Sequence, residues 1–212
     1  MSAFRSRLVR CSVIASVLLM SFATLAPTPA AAAPPSLDLR NAMRKLWEDH
    51  ITWTRLYIVN AAADLPEKDA AAQRLLQNQT DIGNAIKPYY GEDAGNMLTA
   101  LLREHILGAV DLIAAAKDND RAKMEAASER WYVNGENVAM FLSAANPAAW
   151  PPDAMKAEMK MHLDLTLQEA SDHLSGKFAE DVADYDQIHE HILKLADALS
   201  DGIINQFPDR FD

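Results

Sequence analysis

Three histidines stand in otherwise apolar stripes at helical spacing. Leu46, His50, Trp53 and Tyr57 share one helix face. Leu98, Leu101, Leu102, His105, Ala109 and Leu112 share another, and Met155, Met159, His162 and Thr166 a third. An imidazole turned into a core must satisfy both ring nitrogens or bear a desolvation cost of ~1–3 kcal/mol. Two chemistries do this. In one, each ring hydrogen-bonds an amide or acid on a neighbouring helix, and the histidines form a polar layer that sets register. In the other, the rings converge on a metal ion. Three imidazoles with an open fourth position suit zinc, with copper or nickel as alternatives. A water in that position would make the centre a hydrolase.

The spacing repeats. The offset from His50 to Asp64 equals the offset from His105 to Asn119 and from His162 to Gly176, fourteen places in each case. Asp64, Asn119 and Gly176 each lie in a turn signal, so the pattern reads as one helical hairpin written three times. In an antiparallel hairpin, residues equally far from the turn lie at one height. This pairs His50 with Asn78, His105 with Asn134, and His162 with His189, with Asp81, Asn137 and His191 near one further turn. The candidate metal ligands are therefore His50, His105, His162 and His189. Asn78, Asn134, Asp81 and Glu104 are the residues expected to hydrogen-bond them or line the entrance. Gly83, Gly108 and Gly135 flank the layer, where they read either as close helix approaches or as tolerated defects costing ~1 kcal/mol each.

The elements that must carry these residues are all helical. The pattern predicts hairpins over about 37–86, 92–144 and 153–205. Ser36 and Asp38 are N-caps for the first helix, and Pro66 opens the second. Lys87-Pro88-Tyr89-Tyr90-Gly91 is a stop, Asp118-Asn119-Asp120 a tight turn, and Asn146 to Pro152 the longest irregular connection. No segment between Leu37 and Asn205 alternates at period two. The fold class is all-α, a six-helix bundle of three repeated antiparallel hairpins, with Phe207 and Phe211 of the tail packed back on it.

Ahead of the bundle, Arg5, Arg7 and Arg10 precede an apolar run from Cys11 to Ala26, then Pro27-Thr28-Pro29 and the alanines 30–33. This is the layout of a secretory signal peptide spanning 1–32, with a single domain over 33–212 and a periplasmic or secreted product. Its removal takes away the only cysteine, which excludes disulfides and thiolate chemistry. It also takes three arginines and no acids, so the formal charge moves from −10 to −13, 17 basic against 30 acidic residues. Such a surface disfavours nucleic acid and anionic lipid and favours a metal ion or small cationic ligand. No later apolar run is long enough to span a membrane.

Other chemistries find no support. There is no Gly-x-Ser-x-Gly or Ser-x-x-Lys nucleophile motif and no phosphate-cradling glycine loop. The paired Glu-x-x-His motifs of a ferritin-like di-iron site are missing. The strings Asp118–Asp120 and Asp184–Asp186 fall on helical pattern, where capping and solvation account for them.

Several strings resemble a bacterial all-helical family of no established biochemical function. They are Leu46-Trp47-Glu48-Asp49-His50 with Trp53-Thr54-Arg55, Asn78-Gln79, the run from Asp81 to Gly91, Glu104-His105-Ile106, and Gly202-Ile203-Ile204 with Gln206-Phe207-Pro208. Members sometimes carry automatic names such as glycosyltransferase or acetylglutamate kinase, whose α/β folds the helical pattern contradicts. The resemblance implies one intact helical domain and carries over no catalytic residues. The expectation is an exported helical binding protein, a divalent metal its first candidate ligand. A ligand-free structural or interaction module and a metal-dependent hydrolase are the alternatives.

Overall fold

The computed structural model describes residues 35–211. The chain divides into Met1–Ala32 and Ala33–Asp212; the signal-peptide expectation falls outside the described residues. Six helices follow in order: α1 Pro35–Ala62, α2 Lys68–Tyr90, α3 Glu92–Lys117, α4 Arg121–Ala145, α5 Pro152–Leu174 and α6 Phe178–Gln206. A 3₁₀ turn, Pro208–Arg210, ends the described chain, and no strand occurs among the described residues. The all-α class and the three hairpins are as the pattern predicts. No helix among the described residues is long and apolar enough to cross a membrane.

The three hairpin turns share one device. Asp64, Asn119 and Gly176 have φ of 53°, 55° and 73°, the left-handed conformation that asparagine, aspartate and glycine tolerate best. The following N–H in each case reaches back to the leading helix: Leu65 to the Asn60 carbonyl at 2.9 Å, Asp120 to Ala115 at 3.0 Å, and Lys177 to Asp172 at 2.9 Å. This 6→1 bond closes each leading helix in the same way.

Each helix packs on the next, and α6 returns to α1, so the six form a closed ring. The leading helices α1, α3 and α5 alternate with the trailing helices α2, α4 and α6. The main core runs through the ring and includes Met43, Trp47, Ile82, Leu98, Trp131, Val138, Leu163, Ile188 and Ile192. A smaller cluster of Tyr57, Ile58, Ala61, Ala71, Ile113 and Ala170 fills the turn end.

Two boundaries differ from expectation. Helix α2 begins at Lys68, after Pro66, and runs through Pro88 to Tyr90, past the predicted stop at Ile86. Pro88 removes one ladder bond in the last turn. Tyr89 and Tyr90 hold that turn by packing on the tail. Tyr89 stacks on Phe211 at 5.6 Å between centroids, Tyr90 meets Phe207 edge-on at 5.3 Å, and the Tyr90 hydroxyl donates to Gln206 Oε1 at 2.6 Å. Helix α1 begins at Pro35, which places Ser36 and Asp38 inside its first turn. At the α2–α3 crossing the backbones nearly touch. A Cβ added to Gly83 would lie 2.5 Å from the Gly95 carbonyl oxygen.

Candidate functional site

His50, His105 and His162 all point into the ring, at 3%, 3% and 4% exposure. Their rings converge. His162 lies 5.5 Å from His50 and 6.3 Å from His105 between centroids. A fourth ring joins from α6. It is His191, 6.0 Å from His162 and nearly parallel to it at 18°.

The expected fourth ligand, His189, lies elsewhere. Two residues along a helix turn a side chain by about 200°. His189 faces outward, with Nε2 3.1 Å from Glu48 Oε1. Asp81 is also outside the layer, accepting from Gln77 at 3.0 Å, and Glu104 is exposed. Asn78 is buried but bonds the backbone, donating to the Leu46 carbonyl at 2.9 Å. The partner of His50 is its neighbour Gln79, with Nε2 3.2 Å from His50 Nδ1. Asn134 holds its predicted place, accepting from His105 Nδ1 at 3.1 Å and donating to the Leu101 carbonyl at 3.2 Å.

The partners obey a rule that the sequence reading missed. Gln79 follows Asp64, Asn134 follows Asn119, and His191 follows Gly176 at one common offset, fifteen places. Measured from the left-handed residue, every hairpin places a histidine at −14 and its partner at +15. In the first two hairpins the partner is an amide that meets the imidazole Nδ1. In the third it is another imidazole, and the match fails. His162 Nδ1 and His191 Nε2 are both buried without a hydrogen-bond partner among the described residues. The nearest acid, Glu158, approaches His191 Nδ1 only to 3.6 Å, too far for a hydrogen bond.

More polar atoms are stranded around the layer. Gln79 Oε1 and the indole nitrogens of Trp47 and Trp131 are buried and unpaired. The Gln79 amide has two hydrogens but faces three acceptors: Leu75 O at 2.8 Å, Asn78 Oδ1 at 3.1 Å and His50 Nδ1. Trp47 meets His50 edge-on at 5.8 Å, and Trp131 lies flat on His105 at 5.2 Å and 22°. Gly108 gives that indole its room, since a Cβ there would sit 3.2 Å from Trp131 Cδ1.

Burial keeps the layer neutral. Desolvation, followed by the neighbouring His105, drives His50 down to about 3. Desolvation drives His105 down to about 4. His162 falls well below the usual histidine range for the same reason, reinforced by the other three rings, and burial lowers His191 as well. Neutral imidazole is the form that ligates a metal. No group of three or more His, Cys, Asp or Glu side chains among the described residues presents a ready-made ion cage. Four imidazoles on one ion with metal–nitrogen bonds of about 2 Å place ring centroids about 5 Å apart. The observed 5.5–6.3 Å separations are therefore somewhat open for such a site.

A charged network lies between α1, α5 and α6. Arg55 grips Asp181 with two bonds of 2.8 and 2.9 Å and Glu169 with one of 2.6 Å, and its guanidinium lies 4.9 Å from the Tyr185 ring centroid. His173 Nδ1 is 2.9 Å from Asp181 Oδ2. Burial lifts Glu169 to about 7 against the pull of Arg55. For Asp181 the bonds to Arg55 and His173 outweigh burial and hold it below the usual carboxylate range.

The fold and the site define a closed ring of three helical hairpins around an imidazole–amide layer. No family model, curated protein or solved structure matches the chain.

Proposed function

We propose that the protein is an exported binding protein whose histidine layer takes a divalent transition metal, zinc first, with copper or nickel as alternatives. The observation that supports this most is the broken third pairing. A layer serving register alone is satisfied by an amide opposite each histidine, as Gln79 and Asn134 supply. At the third position His191 leaves two ring nitrogens stranded, each at a cost of ~1–3 kcal/mol. An ion between His162 and His191 would use these lone pairs. Binding requires the rings to close in and turn toward a common centre.

The ligand-free reading also has an observation in its favour: two of the four histidines already have amide partners. One substitution separates the two readings. In His191→Asn an amide replaces the misfitting ring. A structural layer then gains stability by ~1 kcal/mol, the net worth of one hydrogen bond. A metal site instead loses a ligand. Metal analysis of the purified protein, followed by zinc and copper titration, decides. The metal reading expects stoichiometric metal, weakened at least tenfold in His191→Asn and abolished in the His50→Ala/His105→Ala/His162→Ala variant. No metal in any form, together with a stabilised His191→Asn, overturns it. The hydrolase reading requires an open coordination position facing solvent, and the low exposure of all four rings, 7% at most, lends it no support.

A further inference from the structure

A large cleft lies beside the histidine layer and shares Trp131 with it. It has a volume of about 770 Å³ and opens at the turn end, between the α3–α4 hairpin and α5. Its walls include Ala109 and Ala116 from α3, Trp131 from α4, and Leu167, Ala170 and Leu174 from α5. Four of the wall positions, Ala62, Ala109, Ala116 and Ala170, carry only methyl groups. Alanine keeps the helices ordered but cannot fill the gap between them. The volume falls within the ~300–1,000 Å³ of small-ligand sites. Ten of the lining residues are apolar and eight are polar or charged, so the cleft is amphipathic rather than wholly apolar.

The mouth carries the chemistry. Lys117 and Arg121 line it from the two sides of the Asn119 turn. Lys117 is already held by Asp64 and donates to the Ala61 carbonyl at 2.8 Å. Arg121 is exposed and has no ion-pair partner among the described residues, although Glu125 also lines the mouth one turn along α4. A guanidinium free of ion pairing at the rim of a cleft with alanine and leucine in its walls matches a carboxylate bidentately.

We infer that this cleft binds an amphiphilic monocarboxylate, with the hydrocarbon chain against the alanine and leucine walls toward Trp131 and the carboxylate on Arg121. The inference does not depend on the histidine layer, and its test involves no metal. Decanoate is titrated into the purified protein by calorimetry, with intrinsic tryptophan emission as a second readout. One-to-one binding is expected. Arg121→Glu, an exposed site that leaves the core intact, weakens it at least tenfold. Ala116→Phe, which fills the cleft from α3, weakens it by at least as much, and decyltrimethylammonium binds at least tenfold more weakly than decanoate. Absence of decanoate binding to the wild-type protein overturns the proposal. So does equal binding of the cationic amphiphile, or binding that neither substitution changes.

Discussion

His162 and His191 face each other at 6.0 Å between nearly parallel rings, and each keeps one buried nitrogen without a partner. The same two positions in the other hairpins are occupied by hydrogen-bonded pairs, His50 with Gln79 and His105 with Asn134. The layer is thus regular in position and irregular in chemistry at one place.

Acid should loosen the layer. His50 and His105 titrate near 3 and 4 in the fold and near 6.5 when unfolded, so the unfolded chain binds more protons between those values. Stability is then complete above the unfolded value and falls as pH drops toward the folded ones. At pH 5 each histidine removes roughly 2 kcal/mol. Glu169 acts the other way. Raised to about 7 from 4.5, it favours the fold as it takes up a proton, returning roughly 2 kcal/mol between pH 7 and 5. The net expectation is a loss of about 2 kcal/mol for these three groups, and about 4 kcal/mol in Glu169→Gln, which removes the opposing group. Urea midpoints at pH 7 and pH 5 measure both. A Glu169→Gln protein no more acid-sensitive than wild type contradicts this assignment.

Asn134→Leu should strand the Nδ1–H of His105 and leave the Leu101 carbonyl short of a donor. Leucine keeps the branching and the number of heavy atoms and is the bulkier side chain, so no cavity opens and the expected loss of ~1–3 kcal/mol reports the lost hydrogen bonds. Chemical denaturation gives the number. His105→Leu introduced together with Asn134→Leu should recover part of it, because the polar pair is then replaced as a whole.

Arg55→Ala should be the most damaging single change outside the apolar core. It leaves Asp181 and Glu169, each 2% exposed, without their cation. Breaking a buried pair from one side costs ~3–5 kcal/mol. A thermal melt distinguishes this from the shift of under about 1 kcal/mol expected of an exposed pair such as Lys194–Glu190.

The turns should respond to residue type by backbone conformation alone. Gly176→Ala forces a Cβ into φ of 73° and should cost ~1–2 kcal/mol, although nothing lies within 4 Å of the added atom. Asn119→Gly should be neutral or mildly stabilising at φ of 55°. Paired urea curves settle it; equal stabilities for Gly176→Ala and wild type would remove the conformational account.

Much of the architecture is legible in the sequence because it rests on short-range chemistry. Asp64, Asn119 and Gly176 announce their turns by residue type, and an equal length of uninterrupted helix carries each histidine to its height. The trailing partners are less legible. The expected partners Asn78, Asn134 and His189 stand at unequal offsets past their turns, and only Asn134 stands at the offset the fold uses. An error of one residue turns a helical side chain by about 100° and an error of two by about 200°. Asn78, one place short, therefore falls beside the layer, and His189, two places short, falls on the far face with Glu48. The continuation of α2 through Pro88 is hidden for another reason. Its support comes from Phe207 and Phe211, at the far end of the chain. The Arg55 network and the alanine-walled cleft likewise join elements that no local pattern links.

The closure of α6 on α1 brings the two ends of the described chain side by side. Arg44, near the start of α1, forks onto Asp197, near the end of α6, with bonds of 2.6 and 2.5 Å. A peptide linker joining these ends would be short, and the ring could be reopened at any of the left-handed turns. A circularly permuted chain beginning at Asp120 and ending at Asn119 would still bring all four imidazoles to the same level. The order in which the hairpins are strung is thus separable from the histidine layer they build.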